Sequence, residues 1–218
     1  MKPGAKDGIL APKLAKALAA AELDCLEDGT ELSQCRLAER NFTAAQADNV
    51  LWDGVHLRRV NLTQAKLTRL RLFDCRLEGC EASGAGLEKV RLRRVEVVGC
   101  RFSGADLAEA SLEDVRFSEC ILDGAIFSLA EFKSVRFEKC SLLGTLFERA
   151  NLGGVVFARC NLSGADMRAA KMVGADFSQS TIDGMKAGPA EMQGALIAAE
   201  QAVQVVGLFG VIVKKEDL

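Results

Sequence analysis

Every fifth residue of this chain is apolar from Leu32 to Ile197. That interval of 165 residues divides into 33 steps of five, and all 34 positions hold an apolar side chain. A period of five matches neither the 3.6-residue turn of an α-helix nor the two-residue alternation of a flat β-strand. A fixed internal period is typical of stacked-repeat architectures, so the sequence predicts a single solenoid.

Small residues, mostly Ala, Val or Cys, occupy most of the positions two before a large apolar one, and both kinds recur in columns every twenty residues. One small column reads Cys80, Cys100, Cys120, Cys140, Cys160, and one large column contains Phe117, Phe137, Phe157, Phe177. Another column holds Gly84, Gly104, Gly124, Gly144, Gly164 and Gly184, at a corner where a positive φ would suit glycine. One coil of the solenoid is therefore predicted to contain twenty residues.

Individual units resemble those of a known family. Ser103-Gly-Ala-Asp-Leu107, Ala150-Asn-Leu152 and Ser163-Gly-Ala-Asp-Met167 look like the A(D/N)LXX unit of the pentapeptide-repeat family. The resemblance covers about three quarters of the chain. It implies an all-β solenoid, a right-handed quadrilateral β-helix with four pentapeptides per coil. At roughly 4.8 Å per stacked strand, about eight coils would make a rod about 40 Å long.

The ends of the chain depart from the five-residue period, which gives three expected segments. Residues 1–31 are a tail and N-terminal cap, 32–197 the repeat β-helix, and 198–218 a C-terminal cap. Residues 12–23 favour a short helix with Pro12 in its first turn, which we expect to cover the open end of the stack. At the other end we expect a short capping helix at 198–208 and a short strand at 211–213.

The C-terminal segment from Met192 to Val213 is similar to the caps of quinolone-resistance pentapeptide-repeat proteins. In those relatives the segment joins two rods end to end, so the resemblance implies a homodimer. The contact residues expected here are Val205, Leu208 and Phe209. Some of these relatives imitate duplex DNA and bind DNA gyrase or topoisomerase IV.

Composition argues against catalysis and against a membrane span. The chain has a net charge of −2, one histidine and eight cysteines, none of them in a C-x-x-C pair. We expect buried reduced thiols without disulfides, metal or cofactor, and His56 at the surface. Neither nucleotide-binding nor protease motifs occur. Since no secretory leader or sufficiently long apolar run is evident, we expect a soluble, cytoplasmic, non-enzymatic protein.

The surface between residues 56 and 101 is basic. It holds eleven Lys or Arg against five Asp or Glu, whereas residues 102–150 hold five against nine. The twenty-residue coil places Lys89 and five arginines near one face and its corner; the arginines are Arg69, Arg71, Arg91, Arg93 and Arg94. This cluster is either a solvated face or a contact surface for an acidic partner.

Four outward positions carry apolar side chains where polar ones are expected: Ile126, Leu129, Leu143 and Leu146. Ile126 and Leu146 are twenty residues apart, so they lie on one face in successive coils. A cluster of exposed apolar residues can mark a partner surface, although isolated ones are ordinary. The alternative is that these are ordinary exposed strand residues.

The sequence leaves three candidate functions. The first is a structural or interaction module that binds an unidentified protein partner through the rod surface. The second, implied by resemblance, is a DNA-imitating dimer that binds gyrase and gives quinolone protection. Imitation needs dense negative charge, and a near-neutral chain with a basic middle departs from that need. Direct nucleic-acid binding is disfavoured because the basic cluster lacks interleaved aromatic residues.

Overall fold

The computed structural model describes residues 8–214 as a parallel β-solenoid. Short strands succeed one another around each coil and stack on the strands of the next coil. The strands are β1 (Ala19–Ala20), β2 (Glu31–Ser33), β3 (Cys35–Ala38), β4 (Gln46–Asp48), β5 (Leu51–Asp53), β6 (His56–Arg58), β7 (Lys66–Thr68), β8 (Arg71–Phe73), β9 (Arg76–Glu78), β10 (Arg91–Val98), β11 (Ser111–Ser118), β12 (Glu131–Glu138) and β13 (Val156–Ala158).

Pairing follows the twenty-residue register without exception among strands β2 to β13. Arg91 of β10 pairs with Ser111 of β11, and Phe117 pairs with Phe137 of β12. Isolated bridges continue the same register beyond the strands, as far as Asp176 with Leu196. The predicted solenoid and its coil length are confirmed.

The inward columns fill the rod with a continuous apolar core. Rings stack up the phenylalanine column, with centroids 4.8 Å apart for Phe117 and Phe137, 5.2 Å for Phe137 and Phe157, and 5.0 Å for Phe157 and Phe177. Their planes lie within 10° of parallel. Since side chains of one column are directly superposed, the register that pairs the backbone also sets the core packing.

Small polar groups in the core bond to the coil below rather than remaining unsatisfied. The Cys120 thiol lies 3.4 Å from the Val97 carbonyl oxygen, and the Thr145 hydroxyl donates to the Leu122 carbonyl at 2.9 Å. The Ser180 hydroxyl donates to the Phe157 carbonyl at 2.8 Å. These donors all lie 23 residues after their acceptors, which explains why Cys, Ser and Thr are accepted at small inward positions.

Corners of the coils place one residue per unit in the left-handed region. Glycine fills many of these sites, including Gly84 (φ 63°) and Gly104 (φ 64°), as the glycine column predicts. Elsewhere non-glycine residues take the same conformation, including Arg69 (φ 57°), Arg94 (φ 53°) and Leu129 (φ 62°). Such residues are strained by left-handed geometry, and the surrounding ladder holds them there.

The predicted N-terminal helix is wrong. Residues 12–23 contain no helix; instead they run along the outside of the rod until β1 joins the sheet beside β3. The Lys13 amide donates to Asp74 Oδ1 at 2.9 Å, and the Leu10 amide to Asp114 Oδ1 at 3.3 Å. Ile9 is buried against the side of the rod. The rod provides hydrogen-bond acceptors for these backbone amides. A helix this short is only marginally stable alone, so the segment forms contacts with the rod instead.

At the other end a short helix follows the last coil. A 3-10 turn (Ala199–Gln201) leads into α1 (Ala202–Leu208), so the predicted C-terminal helix is confirmed. The Gln201 side-chain Nε2 donates to the backbone carbonyls of Phe177 at 2.9 Å and Ser180 at 2.6 Å, which ties the helix to the rod. Residues 211–213 form no strand, because no neighbouring strand offers them a ladder. The expected strand at 211–213 is therefore wrong.

Candidate interaction surfaces

A basic groove follows one corner of the rod. Its walls come from four successive coils, and it encloses about 710 Å³ between Asn49, Arg69, Arg71, Lys89, Arg91, Glu109 and Ser111. Arg69 and Lys89 are exposed residues of the corner itself, while Arg71 and Arg91 begin the adjoining strands β8 and β10. Three of the five predicted arginines therefore lie together, with Lys89 among them.

Carboxylates neutralise part of this groove. Arg69 contacts the Asp48 carboxylate, and Lys89 Nζ lies 3.6 Å from Glu109 Oε2. Arg71 donates to the Asn49 carbonyl at 3.4 Å. The Arg91 guanidinium has no hydrogen bond or ion pair to any residue between 8 and 214. Four cations against two contacting carboxylates leave the groove an excess of two positive charges.

The other two predicted arginines do not belong to the groove. The Arg93 guanidinium carbon lies 4.8 Å from the Phe73 ring centroid, one coil below. Arg94 donates to both carboxylate oxygens of Asp74, through Nε at 2.6 Å. This hydrogen bonding holds the pKa of the Asp74 carboxyl below its ordinary value. Arg93 and Arg94 thus serve contacts between coils, and Asp74 also anchors the N-terminal segment through Lys13.

An apolar patch lies across one face in the middle of the rod. Leu129, Leu143 and Leu146 are 51%, 40% and 37% exposed, and Ile126 is half-buried. Ile126 and Leu146 are bridge partners in successive coils. Leu129 lies at the corner that ends this face, and Leu143 lies just beyond the opposite corner, next to Gly144.

The groove and the patch share one corner of the rod. Asn49, Arg69, Lys89, Glu109, Leu129 and Arg149 form a single column, called here the Arg69 edge. Each of its first five residues donates its amide to the next coil, for example Lys89 to the Ala108 carbonyl at 2.9 Å and Leu129 to the Glu148 carbonyl at 3.0 Å. The Arg69 edge is thus basic at Arg69 and Lys89, acidic at Glu109 and apolar at Leu129. Sequence reasoning found both parts but not their alignment, although the same twenty-residue register contains it.

Elsewhere on the surface, charges of opposite sign face each other one coil apart. Arg76 Nη1 lies 2.6 Å from Glu96 Oε2, and Lys139 Nζ lies 3.0 Å from Glu119 Oε1. Arg101 and Glu81 approach within 3.4 Å. Each pair lies twenty residues apart, so the carboxylates of the rod are interleaved with cations.

The C-terminal end exposes apolar side chains, but not those expected. Val205 is buried in the rod's core, and Leu208 and Phe209 pack partly buried against it. Val205 and Phe209 line a cleft of about 350 Å³ together with Met192 and Ile197. The accessible residues are Val203, Val206, Val211, Val213 and Ile212, the last of them 89% exposed.

Two of the buried cysteines, Cys75 and Cys140, hold thiols that stay protonated at neutral pH. Burial raises the pKa of the Cys75 thiol to about 12, and hydrogen bonding to Cys120 together with burial raises that of Cys140 to about 12. Within residues 8–214, no cluster of three or more His, Cys, Asp or Glu side chains could hold a metal ion. The same part of the chain has no helix that is long and apolar enough to span a membrane. His56 is half-buried and its Nε2 lies 3.2 Å from Glu78 Oε2.

Filled coils and an unbroken twenty-residue register define a β-solenoid of stacked five-residue units. Family models agree: a pentapeptide repeat region matches residues 70–138 and 130–202, and pentapeptide repeats in eight copies match residues 41–79. The chain belongs to the pentapeptide-repeat family.

Solved structures of pentapeptide-repeat proteins resemble this chain in fold. A trypsin-treated QnrB1, a plasmid-mediated fluoroquinolone resistance protein, is 21% identical, with 91% of this chain and 98% of that chain covered and a TM-score of 0.47. HetL, involved in heterocyst differentiation regulation in the cyanobacterium Nostoc sp., is 20% identical, with 81% and 90% covered and a TM-score of 0.25. No curated protein matches the sequence.

Proposed function

We propose that this protein is a non-catalytic interaction module that binds another protein through the outer surface of its rod. The apolar patch carries this proposal. Leu129, Leu143 and Leu146 expose large side chains on one face and at its two corners, where the other outward positions are mostly polar. Clustered apolar exposure on a well-packed fold is typical of partner surfaces.

The rod suits recognition without conformational change. The core under the patch is filled by rings such as Phe127 and Phe147, whose centroids stack 5.3 Å apart. Backbone ladders hold the coils on either side, so the patch is rigid before any partner arrives. Preorganised surfaces lose little conformational entropy on binding. The buried thiols are compatible with a reducing compartment, and we propose the cytoplasm.

A retention experiment tests the module. The full-length chain is immobilised and incubated with a lysate of the source cells, and the retained proteins are compared among variants. We expect a protein that wild type retains and that both Ile126→Asp and Leu146→Asp lose. Val173→Asp is the matched control, because Val173 is 69% exposed on a different face. If no retained protein distinguishes the patch variants from Val173→Asp, the patch is not the binding surface.

A homodimer through the C-terminal end is also proposed, because apolar side chains are exposed there. Val205, Leu208 and Phe209 already contact the rod, so they would support the interface from beneath, while Val203, Val206 and Ile212 face outward. We expect Ile212→Asp to convert a dimer to a monomer in light scattering. A monomeric wild-type protein at micromolar concentration would contradict the dimer.

A DNA-imitating dimer that binds gyrase or topoisomerase IV is the second candidate, favoured by these exposed C-terminal residues and by the resemblance of the cap. Ion pairs such as Arg76 with Glu96 weaken it, since imitation needs carboxylates free of neighbouring cations. A gyrase supercoiling assay, with and without a fluoroquinolone, tests it. Inhibition or drug protection at micromolar protein would support imitation; no effect at large excess would exclude it for gyrase.

A further inference from the structure

We propose that the Arg69 edge is one composite docking surface for an extended acidic segment of a partner protein with an apolar anchor. The anchor would sit on the apolar patch and the acidic residues in the basic groove. This inference rests on the proposed function, and it adds the chemistry of the partner.

The spacing of the two parts sets the length of the segment. Lys89 and Leu129 are two coils apart on the edge, and Arg69 and Leu129 are three. At roughly 4.8 Å per stacked strand, these separations are about 10 and 14 Å. An extended chain advances roughly 3.3 Å per residue, so the acidic group would lie about three or four residues from the anchor.

Charge in the groove selects acidic side chains. The Arg91 side chain is exposed and has no partner among residues 8–214, so its guanidinium can donate two hydrogen bonds to a carboxylate in a bidentate contact. Lys89 and Arg69 have local acidic neighbours in Glu109 and Asp48, so each can share its charge with an incoming carboxylate. The net excess of positive charge steers an acidic segment toward the groove.

The apolar half of the surface favours a protein segment over a nucleic acid. Phosphate backbones gain little from an exposed leucine, and the groove offers no aromatic platform for bases among its lining residues. An acidic peptide with a Leu, Ile or Phe anchor uses both halves. The two parts together therefore identify the partner more narrowly than either alone.

Leu129 itself is a costly residue at its position. It takes φ 62°, in the region that glycine occupies without penalty at Gly124 and Gly144. Within residues 8–214 it is the one large apolar side chain among the corner residues of positive φ. A bulky, half-exposed side chain held in a strained conformation is typical of a position used for binding.

Selection of peptides tests the surface directly. A phage-displayed library of random dodecapeptides is selected on the immobilised full-length chain, and enriched peptides are resynthesised with a fluorophore for anisotropy. We expect them to pair an Asp or Glu cluster with a Leu, Ile or Phe three or four residues away. Arg91→Glu and Leu129→Ser should each weaken binding about tenfold or more. The controls Arg58→Glu, on another face, and Val173→Ser, four coils beyond Arg93 in the same column, should leave it within about twofold of wild type.

Each other outcome overturns the inference. Enriched peptides without acidic residues would refute the Arg69 edge as a docking surface, and so would peptides that bind the edge variants as tightly as the control variants. The proposed interaction module would still be tested separately by the retention experiment. No enrichment over a blank matrix would also refute it. Binding of a duplex or single-stranded oligonucleotide that Arg91→Glu abolishes and Leu129→Ser leaves intact would assign the groove to nucleic acid. Unchanged unfolding midpoints for all four variants establish that folding is not the cause.

Discussion

Replacing Phe137 by alanine should produce a large loss of stability. Phe137 is fully buried, stacked on Phe117 at 4.8 Å and on Phe157 at 5.2 Å, and its ring also meets Phe127 edge-on at 6.4 Å. A buried Phe→Ala change costs about 3–5 kcal/mol, and the cost is higher where the surroundings cannot collapse. Here the parallel ladder fixes the coils above and below, so we expect about 4–5 kcal/mol.

Urea unfolding followed by circular dichroism measures this loss, and hydrogen exchange of β12 amides measures it locally if the coils do not unfold together. The matched control is Phe73→Ala, the same change at an outward, half-buried position. We expect it to cost about 1 kcal/mol or less, mainly through loss of the Arg93 contact. A cost below about 1.5 kcal/mol for Phe137→Ala would refute the assignment of a rigid, close-packed interior.

Three further substitutions test the corner geometry, the Asp74 contacts with Arg94 and the N-terminal segment, and the cysteine column. Leu129→Gly should raise the free energy of unfolding by roughly 0.5–1 kcal/mol, because glycine relieves left-handed strain but loses more backbone entropy; a lower thermal midpoint would contradict this. Asp74→Asn should destabilise the fold by weakening the contact with Arg94. The pKa of Asp74 is depressed in the folded state, so its stabilisation is present above the ordinary carboxyl pKa and is lost as pH falls through the folded value. The difference between wild type and Asp74→Asn should therefore shrink below about pH 4, and a constant difference in urea titrations would exclude this linkage. Cys120→Ser should change stability by less than about 1 kcal/mol, because a hydroxyl can keep the bond to the Val97 carbonyl; a loss above about 2 kcal/mol would show that the thiol's apolar character matters more.

The repeat region could be read from the sequence because each inward position obeys a single local rule. The phenylalanine and cysteine columns are consequences of period five and period twenty, and both columns lie in the core as the periods require. The same arithmetic could also have paired Asp74 with Arg94 and Phe73 with Arg93, each twenty residues apart. The sequence reading assigned both arginines to the surface cluster because it considered charge without the residue one coil below.

The N-terminal segment could not be read in this way. Its alanines, leucines and lysines favour a helix intrinsically, and that preference was the available local signal. Its actual contacts are long-range: the Lys13 amide reaches Asp74, 61 residues away, and the Leu10 amide reaches Asp114, 104 residues away. No periodic pattern in the sequence predicts such long-range contacts. Likewise, the C-terminal helix was predictable from its apolar spacing, but the inward direction of Val205 depends on how Gln201 fastens the helix to the rod.

Because each coil contains twenty residues, the residue number modulo twenty determines the face or corner of the rod on which a residue lies. Five residues inserted between Lys89 and Leu129 would turn everything that follows by one face and carry the leucine to another side of the rod. A duplicated coil of twenty residues would instead shift Leu129 along the same edge by roughly 4.8 Å. An insertion of whole coils therefore changes only the distance between two surface elements on one edge, whereas an insertion of part of a coil moves them onto different faces.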